Sequence, residues 1–164
     1  MSYVFANPDS TIVVVDGISF VPWDPVNGVP LSGGAALRAW QAAGAPAPTP
    51  YVAPPPTPQQ QFDSATASGV TLSWSSSTGL NGTYAVDPTT QNNITAEGVS
   101  ILMNNAFTNG QQTRYWPELN GTPHQFTVAQ FKIFSTAIAA YVDSLNAAMA
   151  GQAPWPSNAL SVSG

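Results

Sequence analysis

The residue types that carry acid–base or nucleophilic chemistry are few in this chain and poorly spaced for it. His124 is the sole histidine and follows Pro123 beside a turn signal. A serine hydrolase would need it together with a serine such as Ser135 and an acid such as Asp143. No G-x-S-x-G elbow presents the nucleophile, so His124 reads as a structural or surface residue. Glu97 and Glu118 are the pair a glycosidase would use, one as acid and the other as base or nucleophile. Glu97 falls in a predicted helix and Glu118 in a turn, a placement that suits solvated or capping carboxylates. The 8 acidic residues show no D-x-D-x-D-G loop, and one histidine with no cysteine leaves no ligand set for zinc. Gly33-Gly34 stands alone, and no G-x-x-x-x-G-K-[ST] phosphate loop occurs. The expectation is a protein that is not an enzyme, with no metal and no cofactor.

The elements that would position these residues are predicted from local signals. In the N-terminal part, Tyr3 to Phe5 and Thr11 to Val15 are β-branched or aromatic and predict strands. Asp16-Gly17 is a hairpin signal, Ile18 to Val21 returns as the partner, and Trp23-Asp24-Pro25 ends it. Ala35 to Ala43 predicts a short helix with Leu37 and Trp40 on one face, closed by Gly44 at C′. Residues 45–61 hold Pro46, Pro48, Pro50, Pro54, Pro55, Pro56 and Pro58, a polyproline spacer rather than a ligand for an aromatic groove, because no basic residue flanks it.

In the C-terminal part, Val70, Leu72 and Trp74 alternate with polar residues, and Asn81-Gly82 turns the chain toward Tyr84 to Val86. Asp87-Pro88 opens a helix reaching about Phe107, with Ile94, Ile101, Leu102 and Phe107 as core positions and Gly98 suited to a close helix crossing. Gln112 to Trp116 and His124 to Phe126 flank the turn Glu118-Leu119-Asn120-Gly121. The last helix has a capping box at Thr127 and Gln130 and a hydrophobic staple from Phe126 to Phe131. Its stripe is Phe131, Phe134, Ile138, Tyr141 and Leu145, and Gly151 stops it. Ile133, Val142 and Met149 lie off that stripe, with no evident cover from the rest of the chain. The fold class is α+β: a small β-rich attachment module (residues 1–44), a proline-rich linker (45–61) and a C-terminal domain of two helices and short β-hairpins (62–164).

Composition narrows the function further. Charged residues make up 7% of the 164, against roughly 25% in an average soluble domain. Ser, Thr, Asn, Gln and Ala fill the deficit, which suits a surface largely covered by partners. Arg38, Arg114 and Lys132 are the only cations in a chain of net charge −5, too few to neutralise a phosphate backbone or an anionic membrane. Neither nucleic-acid binding nor membrane insertion is expected, and the N-terminus shows no cationic stretch leading into an apolar run, so no signal peptide is expected.

Two stretches resemble known proteins. Val14 to Tyr51 contains DGISFVPWDP…N followed by AWQAAGAPAPTPY, and resembles the N-terminal segment of small bacteriophage tail proteins, including tail-fibre-associated and fibre-assembly proteins. Tyr84 to Leu145 contains YAVDP, then RYWPELNGTPHQFTVAQFKIF, then AIAAYVDSL, and is similar to a domain of unknown function found at the C-termini of phage tail and prophage proteins. The chain departs from that pattern in its low charge and in a Ser/Thr-rich inset from Ser64 to Thr78. The resemblance implies a structural component of the tail (tip, baseplate or fibre adaptor) that serves virion assembly and host attachment, made in the host cytoplasm and resident in the virion. Two other roles stay open: a fibre-assembly chaperone that leaves before maturation, and a glycan-binding receptor tip. Its partners would be other tail proteins and further copies of itself, with a trimer as the first arrangement. Trp23, Trp40, Ile133, Val142 and Met149 are the candidate interface residues. The other large aromatics, Trp74, Trp116, Trp155, Tyr51, Tyr84 and Tyr115, are core or interface anchors, or else line a saccharide face.

Overall fold

The computed structural model describes residues 2–15, 17, 19–31, 35–45 and 47–163. Asp16, Ile18, Gly33-Gly34 and Pro46 lie outside the described residues, as does the side chain of Leu37. The chain divides into two compact units, residues 1–55 and 56–164, and the architecture is α+β as expected.

In the first unit, β1 (Tyr3–Phe5), β2 (Ile12–Val15), β3 (Ser19–Asp24) and β4 (Val29–Pro30) form an antiparallel sheet in sequential order. One face carries the core, where Tyr3, Val13 and Trp23 are buried and Phe5, Val15 and Trp40 pack against them. Trp40 comes from α1 (Ala35–Ala42) and meets Trp23 edge-to-face at 5.6 Å between ring centres. The helix ends as its glycine dictates. Gly44 takes φ +88°, its N–H donates to Gln41 O (3.0 Å), and the Ala45 N–H donates to Trp40 O (3.0 Å), closing the last free carbonyls. The D-P-x-N block is a side-chain turn, in which the Asp24 carboxylate accepts from the backbone N–H of Val26 (2.9 Å) and of Asn27 (3.1 Å).

The expected linker 45–61 is shorter than its prolines suggest, because its neighbours take both ends. Thr49 pairs parallel to β1, its N–H donating to Tyr3 O (2.9 Å) and its carbonyl accepting from Phe5 N (3.0 Å), so a proline-flanked segment covers an open sheet edge. At the other end Pro58 is the first residue of a helix.

That helix, α2 (Pro58–Ser68), opens the second unit and is absent from the sequence-based expectation. It has its own capping box: the Thr57 hydroxyl accepts from Gln60 N (3.2 Å), and the Gln60 side chain accepts from Thr57 N (2.8 Å). β5 (Val70–Trp74) pairs antiparallel with β6 (Gly82–Tyr84), and parallel with a further strand, β9 (Ala159–Val162). Gly69 makes the junction. Its φ is +68°, and a Cβ there would lie 2.5 Å from Tyr84 O. α3 (Pro88–Asn104) starts as expected, with the Asp87 carboxylate accepting from Thr89 N (2.9 Å) and Thr90 N (3.1 Å). The hairpin β7 (Thr113–Pro117)/β8 (Pro123–Thr127) also forms.

α4 (Val128–Met149) carries the core. The staple is present, with Phe126 and Phe131 rings 6.1 Å apart, and every residue of the expected stripe is at most 2% exposed. β5 and β6 add Val70, Leu72, Trp74 and Tyr84, while α3 adds Ile94 and Ile101.

Two expectations on α3 fail. Leu102 is 85% exposed rather than buried, because the inward line runs through Ile94, Glu97 and Ile101 and Leu102 sits a hundred degrees round the helix from it. Gly98 marks no close crossing, since a Cβ there would meet nothing within 4 Å. Gly98→Ala is therefore expected to raise stability by about 0.5–1 kcal/mol in urea denaturation of the full chain. A loss of stability would mean the position is sterically constrained after all.

Candidate functional site

Three polar arrangements in the second unit gather the residues singled out above. The first is built on Glu97. It faces inward because it follows Ile94 by three and precedes Ile101 by four, and it is 3% exposed, a buried charge rather than a solvated one. Its Oε2 accepts from Thr108 N (2.8 Å), and its Oε1 accepts from the Thr108 hydroxyl (2.6 Å) and from Arg114 Nη1. Arg114 Nη1 also reaches the Thr108 hydroxyl (2.8 Å). The ion pair ties α3 to β7.

The second arrangement holds His124. Its Nδ1 faces Gly79 O (2.7 Å) and its Nε2 faces Glu118 Oε1 (3.1 Å), while Glu118 Oε2 accepts from Thr83 N (3.2 Å). Both facing atoms are hydrogen-bond acceptors, so the ring bridges the 3-10 turn to the hairpin. Gly82 makes room for the carboxylate, since a Cβ there would lie 2.8 Å from Glu118 Cδ. The hydrogen bond from His124 holds the Glu118 carboxyl below the ordinary range, and the Thr83 N–H helps. A carboxyl with a depressed folded-state pKa stabilises the fold above its ordinary pKa, and that contribution is lost as pH falls through the depressed value. Unfolding followed from neutral to strongly acidic pH is thus expected to show a loss below the usual carboxylate range that Glu118→Gln diminishes. Identical acid profiles for the two proteins would remove Glu118 from the account.

Both carboxylates, with Arg114 and Asn93, line one cleft of about 370 Å³ between α3 and β7. The structure thus brings the postulated glycosidase pair together, but neither member is placed as the general acid the pair would need. A general acid needs a raised pKa, and Glu118 is shifted the other way. Both oxygens of Glu97 are taken. No group of three or more His, Cys, Asp or Glu suited to a metal occurs among the described residues.

The third arrangement is a cleft of about 430 Å³ between α2, the C-terminal half of α4 and residues 155–158, with no charged residue in its lining. It depends on α2, which the sequence reading missed; the Thr57/Gln60 capping box with Pro58 was the signal that could have found it.

The proposed interface residues fare unevenly. Trp23 is 3% exposed and belongs to the first unit's core, and Trp40 packs on it. Ile133 and Val142 are half-buried against the second unit's core, contrary to the expectation that nothing in the chain covers them. Ile133 shares a groove with Ser161 and Val162 of the unforeseen β9, and Val142 shares one with Ile94 of α3. Met149 remains 37% exposed. The exposed apolar surface lies elsewhere. On α3, Val99, Leu102 and Met103 are 50%, 85% and 76% exposed. On the first unit's outer sheet face, Val4, Val14 and Phe20 lie in one cross-strand row, with Ile12 opposite Pro22 in the next. Phe20 is 72% exposed. The aromatics share no common surface: Trp74, Trp116 and Tyr84 are core, Trp155 is half-buried and Tyr115 is 64% exposed.

The second unit is thus an α+β domain organised on one long helix, with Glu97, Arg114 and Glu118 held in hydrogen-bonded clusters. Residues 59–151 match the family described as a domain of unknown function, DUF4376, and the chain belongs to that family. No curated protein and no solved structure matches it.

Proposed function

We propose that this chain is a non-enzymatic structural component of a bacteriophage tail, at the tip or baseplate or as a fibre adaptor, serving virion assembly and host attachment. The observation that carries the reading is the outer sheet face of the first unit. β2 reads Ile-Val-Val-Val, an uninterrupted apolar run of the kind found in strands covered on both faces, and its second face is open. The row of exposed Val4 and Phe20 with half-buried Val14 between them suits an attachment module that docks on another tail protein, and the same segment carries the DGISFVPWDP resemblance. The low charge and the committed carboxylates favour a scaffold over a catalyst. Self-association through the α3 row is part of the reading, with a trimer as the first arrangement, and sedimentation of the full chain reads it directly.

The test is mass spectrometry of purified phage particles encoding the wild-type chain or Phe20→Ser. The wild-type polypeptide should appear at stoichiometric copy number, and the variant should be depleted from particles while remaining folded in the lysate. Absence of the wild-type chain from particles would overturn the reading in favour of an assembly chaperone.

A further inference from the structure

We infer that the uncharged cleft between α2, α4 and residues 155–158 binds a neutral saccharide ring. Its volume, about 430 Å³, is in the range of small-molecule sites. Its polar groups are what decide the ligand. Tyr141 lines it with its ring buried in the core, and its hydroxyl, which makes no hydrogen bond among the described residues, is open to water at the cleft. An occupant that offers this hydroxyl a partner exchanges its hydrogen bond to water for one to the ligand.

The surrounding side chains are half-committed in a regular way. Gln60 gives its Oε1 to Thr57 N (2.8 Å), which leaves its amide N–H groups. Gln61 gives an Nε2 proton to Pro56 O (3.0 Å), which leaves its Oε1. Ser68 donates to Ser64 O (2.8 Å), which leaves its lone pairs, and the Asn158 amide keeps both donor and acceptor. The cleft therefore offers donors and acceptors side by side without a formal charge. Sugar hydroxyls are donor and acceptor at once and match that set. An anion would use donors only, a cation would find no carboxylate, and an apolar ligand would strand the amides. A polyproline peptide offers carbonyl acceptors but no N–H, and would leave Gln61 Oε1 and the Ser68 lone pairs unmet. Half-buried Trp155 supplies the aromatic surface on which the C–H groups of a pyranose ring pack.

Two walls of the cleft come from α2 and α4, within the family match, and the third, residues 155–158, lies beyond it. The segment that completes the site is thus separate from the core of the family fold. The inference rests on these residues alone and holds whether or not the chain resides in a virion.

The test uses the full chain labelled with ¹⁵N and titrated with the methyl glycosides of glucose, galactose and N-acetylglucosamine. Sodium phosphate and a decaproline peptide serve as comparators. At least one glycoside should shift the indole N–H signal of Trp155, assigned with Trp155→Phe, together with the side-chain amide of Asn158. Asn158→Ala, an exposed change that leaves the core untouched, should weaken that binding about tenfold, the effect of one lost hydrogen bond. The inference is overturned if none of the three glycosides moves these signals, if their shifts fall outside the cleft, or if decaproline or phosphate binds there in their place.

Discussion

Phe134→Ala should destabilise the second unit by about 3–5 kcal/mol, the range for removing a phenylalanine from a packed core. Phe134 is fully buried, and its ring lies 5.0 Å from those of Tyr84 and Phe126, 5.4 Å from Phe131 and 6.0 Å from Trp116. These neighbours come from β6, β7, β8 and α4, so the cavity would open where four elements meet and none could close it by moving alone. A domain of this size has a total stability of roughly 5–15 kcal/mol, so the variant would be marginal at physiological temperature. Urea denaturation followed by tryptophan fluorescence measures the change. Phe134→Leu, which keeps most of the apolar volume, should lose much less. A loss below about 1 kcal/mol for the alanine variant would show that this cluster is not the keystone of the unit.

Arg114→Met is the second large effect. The substitution keeps an apolar stem but removes the guanidinium that faces Glu97, whose side chain is only 4% exposed. A buried carboxylate stripped of its partner typically costs about 3–5 kcal/mol. With the Arg114 side chain itself 35% exposed, roughly 2–4 kcal/mol is expected here. Replacing both charges, Glu97→Leu with Arg114→Met, should recover most of the loss, because the desolvation of two charges disappears with the pair and exposed Thr108 can turn to water. The cycle is read by denaturation of all four proteins. If the double variant is less stable than Arg114→Met alone, the pair contributes more than charge neutralisation.

Much of the fold was legible where a local signal had a local cause. α4 declares itself through its cap, its staple and the stripe from Phe131 to Leu145. The start of α3 is written in Asp87-Pro88, and the second hairpin in the turn from Glu118 to Gly121. What escaped was what has no local cause, or a cause easily masked. β9 is four residues long, and its parallel partner lies near the other end of the unit, so its apolar character cannot say where it pairs. α2 buries none of its residues and follows a run of prolines. Its capping box was as plain as the one on α4, but with no apolar stripe to support it the segment read as spacer and inset. The polar sites suffered accordingly. Glu97 shares a helix face with Ile94 and Ile101, which marks it as inward-facing. The uncharged cleft, by contrast, requires α2 and residues 155–158 to meet, and no pattern in either announces the other.

The parallel pairing of β5 with β9 also sets the order of events at the ribosome. The three-stranded sheet takes its middle strand from the start of the second unit and an outer strand from after α4, with Thr71 beside Ala159 and Trp74 beside Val162. An emerging chain can form α2, the β5–β6 hairpin and even α4 while the third strand is still in the exit tunnel. Until residues up to Val162 are out, one edge of β5 has its N–H and C=O groups open to any passing strand, including that of a neighbouring nascent chain. Closure of this non-local pair is also the slow kind of step. The unit thus completes its sheet after translation has passed its last strand, and synthesis from crowded messages is when its misassembly would occur.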